Sequence, residues 1–240
     1  MRATGGKAIY GARVGILMLE ARFPRIPGDM GNATTWPFPV HYKIVRGASP
    51  DLVVRQGAPG LLPHFIDAAR ELVAEGVDGI TTNCGFLSLM QAELQGAVPV
   101  PVATSSLMQV SLVNATLPPD QRTGVLTISA ASLTPEHLDA AGVPADTPIG
   151  STENGAEFTR AILGNEDTLD VALARADNVS AALAMKDAHP DLGAIVLECT
   201  NMVPYAADIR KATSLPVFSI ASFITWFQSG LAPLRYPDPE

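Results

Sequence analysis

Three stretches of this chain occur twice, in the same order. Arg13-Val14-Gly15-Ile16-Leu17-Met18-Leu19 returns 109 residues later as Arg122-Thr123-Gly124-Val125-Leu126-Thr127-Ile128, keeping Arg, Gly, Leu and the branched positions. Val77 to Thr82 returns after 115 residues as Leu192 to Leu197, and each copy runs into a polar residue and then a cysteine. Val98-Pro99-Val100 returns after 117 residues as Leu215-Pro216-Val217, with Ser105 answered by Ser222. One such match is chance; three in register constrain the fold.

The Arg13 to Leu19 stretch is a short, uniformly apolar run, the pattern of a strand buried on both faces of a parallel sheet, and the other repeated stretches are read as strands too. Helical periodicity lies between the runs. Leu61 to Glu75 carries Leu61, Phe65, Ala68, Ala69, Leu72 and Val73 on one face and stops at Gly76. Further helices are expected over Leu87 to Leu94, about Ser105 to Ala115, and Thr168 to Ala188. The expected fold is α/β, with two similar lobes related by pseudo-twofold symmetry, each a parallel sheet flanked by helices. Residues 1–103 with 216–240 form the first expected lobe and 104–215 the second, with the active site between them. Ala21 to Gly60, rich in Pro and Gly and holding Trp36, Phe38, Tyr42 and a strand over Val40 to Val45, has no counterpart in this reading. It is read either as a flap or oligomer contact, or as an edge strand with a packing loop.

Composition removes several classes of function. A formal charge of −8, with 16 Lys and Arg scattered along 240 residues, argues against a nucleic-acid partner. No apolar run approaches the roughly 20 residues of a membrane span. The first ten residues lack a signal-peptide core, so a cytoplasmic location is expected. No GxGxxG follows a strand, and no Walker loop or GxSxG elbow occurs. His41, His64, His137 and His189 are dispersed, with His137 and His189 read as solvated, so no metal site is expected. None of the four lysines stands at a strand end, and no cofactor is expected.

The two cysteines carry the chemistry. In open parallel sheets ligands bind beyond the carboxyl ends of the strands. Thr81-Thr82-Asn83-Cys84-Gly85 and Leu197-Glu198-Cys199-Thr200-Asn201 both stand there, at equivalent places in the repeat. A lone cysteine at such a point is usually inert core. Two at matched positions, among polar neighbours and each before a helix, favour paired acid/base thiols. The start of a helix is expected to lower a thiol pKa toward neutrality. Thr82, Asn83, Thr200 and Asn201 offer short donors and acceptors for a carboxylate, and Gly85 allows close approach of backbone to ligand.

At these segments the chain resembles the aspartate/glutamate racemase superfamily, which includes hydantoin racemases, maleate isomerases and arylmalonate decarboxylases. The resemblance implies an active site between lobes, with Cys84 and Cys199 as its two cysteines. It further implies that Thr200 binds the substrate carboxylate and that Ser129 and Ser132 are the hydroxyl pair after the first strand of the second lobe. Glu20 stands where glutamate racemases show an Asp-Ser pair, and Gly85-Phe86 replaces the usual Asn-Thr after the first cysteine. These departures point away from aspartate and glutamate, toward a less polar substrate.

The implied activity is cofactor-independent racemisation or epimerisation of an amino acid, hydantoin or dicarboxylate. One thiolate takes the α-proton from one face and the other thiol returns one to the opposite face. A maleate isomerase-like reaction with a nucleophilic cysteine and a non-catalytic two-lobed small-molecule binder are the alternatives. A homodimer is expected from the resemblance.

Overall fold

The computed structural model describes residues 2–237. Eight strands form two parallel four-stranded sheets. The first has the order β2-β1-β3-β4, with β1 at Val14–Leu19, β2 at Val40–Val45, β3 at Gly79–Thr82 and β4 at Val102–Ala103. The second has the order β6-β5-β7-β8, with β5 at Arg122–Thr127, β6 at Ile149–Ser151, β7 at Leu192–Leu197 and β8 at Val217–Phe218. The two-lobed α/β expectation holds. Every residue of β1, β3 and β7 is buried, which is why β1 and β7 are apolar throughout rather than alternating, while β3 ends in the buried Thr81 and Thr82.

The repeat extends to pairing register. Leu17 pairs with Thr82 in the first sheet, and the residues at offsets 109 and 115, Leu126 and Leu197, pair in the second. Gly15 and Gly124 are equivalent too: a Cβ on the first would lie 2.9 Å from Leu72 Cδ1, and one on the second 3.1 Å from Met185 Sδ. Both glycines let a covering helix seat closely on its sheet.

The last repeat shifts by two residues from its expected offset. Ile80 pairs with Val102 and Ile195 with Val217, so Pro101, not Pro99, corresponds to Pro216. The run Val98-Pro99-Val100-Pro101-Val102 repeats every two residues, and sequence alone leaves its register degenerate. Because β8 pairs with β7, the second sheet extends past 216, the residue at which the first lobe was expected to resume. The segment 21–60 also has a partial counterpart after all, since β2 and β6 occupy the same edge of their sheets.

Helices cover the sheets: α1 (Pro50–Val54), α2 (Leu62–Glu75), α3 (Gln91–Ala97), α4 (Val110–Asn114), α5 (Pro135–Ala140), α6 (Phe158–Leu163), α7 (Val171–Ala188), α8 (Ala206–Thr213) and α9 (Ile220–Leu231). Helix α2 ends where Gly76 turns left-handed at φ 102°. Asp170 caps α7 through the N–H groups of Ala172 and Leu173. Helix α9 returns to the first lobe, packing Ile220, Phe223 and Ile224 against Val14, Ile16 and Met18. His137, expected to be solvated, is buried on α5, where it completes a capping box with Thr134 and stands edge-on to Phe86. Among the described residues no helix is long and apolar enough to cross a membrane.

Candidate active site

Strands β3 and β7 end face to face, and 3-10 turns follow at Gly85–Met90 and Thr200–Tyr205, with Cys84 and Cys199 at their N-caps. The facing ends are bonded across the lobes. Thr200 donates its hydroxyl to the carbonyl of Asn83 at 2.6 Å, and Ser106 donates to the carbonyl of Leu197 at 2.6 Å. Behind the cysteines, Asn83 Oδ1 takes the N–H of Leu19 at the end of β1. At the matching place Glu198 accepts from the Thr127 hydroxyl at 2.7 Å and from the Ile128 N–H.

Between these ends lies a narrow cavity lined from both lobes. Cys84 and Cys199 both line it, as do Asn83, Gly85, Thr200 and Asn201. Its apolar wall includes Leu19, Phe23, Pro50, Val54, Phe86 and Leu163. Segment 21–60 is therefore ordered and serves the site: Phe23, Pro50 and Val54 enclose the cavity while β2 forms a sheet edge. The same segment is tied to the second cysteine, because Asn201 donates to Asp29 Oδ2, and Asp29 also holds Arg25 at 2.8 Å.

Four of the candidate residues lie outside the lining. Thr82 is fixed by bonds to the carbonyls of Thr104 and Cys84. Glu20 takes Arg46 at 2.6 Å and the N–H of Gly47, on an exposed face. Ser129 bonds Ser132 at 3.0 Å and Glu153 at 2.8 Å. The hydroxyl pair thus exists, but Glu153 occupies it.

Glu198 was not among the candidates, and it is the one carboxyl that lines the cavity. It is fully buried, and its Oε1 has no hydrogen-bond partner among the described residues. A Cβ at position 85 would collide with this carboxyl and stand 2.6 Å from the Glu198 carbonyl oxygen, so Gly85 makes room first for Glu198. The available signal was positional: Glu198 corresponds to Asn83 in the repeat and is the charged residue directly before a cysteine.

The thiols depart from expectation in sign. Burial pushes both well above the ordinary cysteine value, and the nearby Glu198 carboxylate pushes them further. Backbone N–H groups of Phe86 and Leu87 at Cys84, and of Asn201 at Cys199, act the other way and are outweighed. Burial also raises Glu198 itself, to about 7. The cavity therefore favours neutral acids: two thiols and, below neutrality, a carboxyl. Among the described residues no His, Cys, Asp and Glu grouping suits a metal ion.

No protein-family model matches the chain. Its architecture is that of unliganded arylmalonate decarboxylase, at a TM-score of 0.56 and 16% identity over 95% of this chain and 96% of that one. A glutamate racemase from Bacillus anthracis matches with a TM-score of 0.59 and 14% identity, over 91% of this chain and 82% of that one. These likenesses show the racemase-type fold. Similarity in sequence lies elsewhere. A dimethylsulfoniopropionate lyase from Emiliania huxleyi is 31% identical over 85% of this chain and 56% of its own length. A dimethylsulfoniopropionate lyase from Durusdinium sp. clade D is 30% identical over 229 residues, which span 91% of this chain and 75% of that protein. On the racemase-type fold, this chain is an enzyme of the dimethylsulfoniopropionate lyase family.

Proposed function

We propose that the enzyme catalyses β-elimination from a small carboxylate bearing a sulfonium group, with dimethylsulfoniopropionate as the substrate to try first. The observation that carries this reading is a pair of matched cysteines lining one small, mostly apolar cavity. The names of its sequence relatives supply the substrate class.

In this reaction a thiolate removes the proton from the carbon next to the carboxylate. The released electron pair forms the carbon–carbon double bond, and the carbon–sulfur bond breaks with its pair going to sulfur. The products are acrylate, neutral dimethyl sulfide and a thiol that returns its proton to solvent. Racemisation shares the first step, because both reactions begin by taking an acidified α-proton. They part at the second: a neutral thioether leaves without needing a proton, so elimination requires only one basic cysteine. The side-chain amide N–H groups of Asn83 and Asn201 are suited to hold the substrate carboxylate, and the wall of Phe23, Val54 and Leu163 suits two S-methyl groups.

Two-base racemisation remains the second reading, favoured by the equivalent positions of the two cysteines. The test is incubation with dimethylsulfoniopropionate and detection of dimethyl sulfide and acrylate, then the same with Cys84→Ala and Cys199→Ala. Elimination is expected to fall at least about 100-fold in one variant, the usual worth of a general base, and to survive at a lower level in the other. No products from dimethylsulfoniopropionate, together with deuterium uptake at the α-carbon of an amino acid that both substitutions abolish, would establish the racemase instead.

A further inference from the structure

The cavity holds three acids and no base of opposite charge. Cys84, Cys199 and Glu198 all line it, and no Lys, Arg or His does. Arg25, whose guanidinium acts on Cys84 from outside the lining, is paired with Asp29, which also takes Asn201. Glu198 has one oxygen satisfied by Thr127 and Ile128 and one left without a partner against Gly85. A buried carboxyl with an open acceptor and no cation is costly to ionise unless a ligand supplies the charge.

We propose that Glu198 is the counter-charge for the cationic group of the substrate, and so the residue that selects sulfonium carboxylates over neutral molecules of the same shape. This inference rests on the elimination reading, which names a sulfonium substrate. Binding exchanges the carboxyl proton, released to solvent, for the fixed positive charge of the ligand. The same charge offsets the repulsion that the Glu198 carboxylate exerts on Cys84 and Cys199. Thiolate formation therefore depends on an occupied cavity. Once the carbon–sulfur bond breaks, the thioether is neutral and Glu198 loses its partner, which favours release of product. Asp29 and Arg25 face the same region from the 21–36 loop but neutralise each other.

The test compares two ligands that cannot undergo the elimination and differ at one atom, dimethylsulfonioacetate and its carbon isostere 3-methylbutanoate. Calorimetry on the wild type is expected to show the sulfonium ligand binding at least about tenfold tighter than the isostere, as for a charge-assisted contact. Near pH 6 it should release close to one proton per ligand bound, and the isostere none. In Glu198→Gln the preference is expected to vanish while the isostere keeps its affinity within about twofold. Proton release needs no variant, so the proposal stays open to refutation even if Glu198→Gln folds poorly. An unchanged preference in Glu198→Gln, absent proton release, or failure of both ligands to bind overturns it. Normal elimination of dimethylsulfoniopropionate with an unchanged preference would sink the role of Glu198 alone; a lost preference with no elimination in the wild type would sink the reaction and leave the role.

Discussion

The two strand ends that meet at the cavity share a backbone and differ in their side chains. In the first lobe the order is Asn83-Cys84-Gly85; in the second it is Glu198-Cys199-Thr200. Each residue before a cysteine lies against the residue after the other cysteine. At Asn83 the contact is through the backbone: Thr200 donates its hydroxyl to the Asn83 carbonyl at 2.6 Å. Glu198, the longer, tolerates only Gly85 opposite it. One pair is a neutral contact and the other holds an ionisable group with a free oxygen. Equivalent position in a repeat therefore conserves architecture while the charge of the two halves diverges.

The largest way to sharpen this contrast is through pH. The folded-state pKa of Glu198 is raised to about 7 from 4.5, so between those values the folded protein holds a proton that the unfolded chain has lost. Stability from this group is full below about pH 4.5 and is lost as pH rises toward 7, on the order of 3 kcal/mol in all. Denaturant titrations from pH 4.5 to 8 should show that decline in the wild type and a flatter profile in Glu198→Gln. Equal slopes would break the assignment of Glu198 as the odd member of the pair.

A smaller effect is expected from Gly85→Ala. The new methyl group meets the Glu198 carboxyl and its backbone carbonyl, an overpacking cost of about 1–3 kcal/mol, readable as a lowered melting temperature. A variant as stable as the wild type would mean that Glu198 moves aside freely. Smaller still is Thr200→Val, which keeps the shape but leaves the buried Asn83 carbonyl without this donor. It should cost about 1 kcal/mol, and a loss equal to that of Gly85→Ala would remove the distinction between the neutral pair and the charged one.

Much of the fold was legible because buried parallel strands are written as unbroken apolar runs. Leu192 to Leu197 coincides with β7; Val40 to Val45 also coincides with β2, although that edge strand is half-buried and broken by His41 and Lys43. Strand β6 was not legible: Ile149-Gly150-Ser151 has one apolar side chain and no periodicity. The alternating Val-Pro run before β4 hid its register for the opposite reason, offering two equal solutions. At the site, the cysteines stood out through the repeat, whereas Glu198 read as an ordinary polar strand end. A carboxyl is usually solvated, and only the opposing lobe, with Gly85, removes this one from water. Ser129, Ser132 and Glu20 came from resemblance to the family, and their partners Glu153 and Arg46 are distant in sequence. Helix-start arguments for the thiols failed because the turns after them are short and the burial deep.

The cavity wall is unevenly inherited from the two halves. Both cavity sulfurs stand on the duplicated strand ends, but Phe23, Pro50 and Val54 come from a segment that the second lobe matches only at its edge strand. The thiols and much of the apolar wall facing them are thus encoded on separable stretches of chain. Changing the residues on either side of β2, Phe23, Pro50 and Val54 among them, would alter the size and shape of what is admitted while leaving both sheets and both thiols in place.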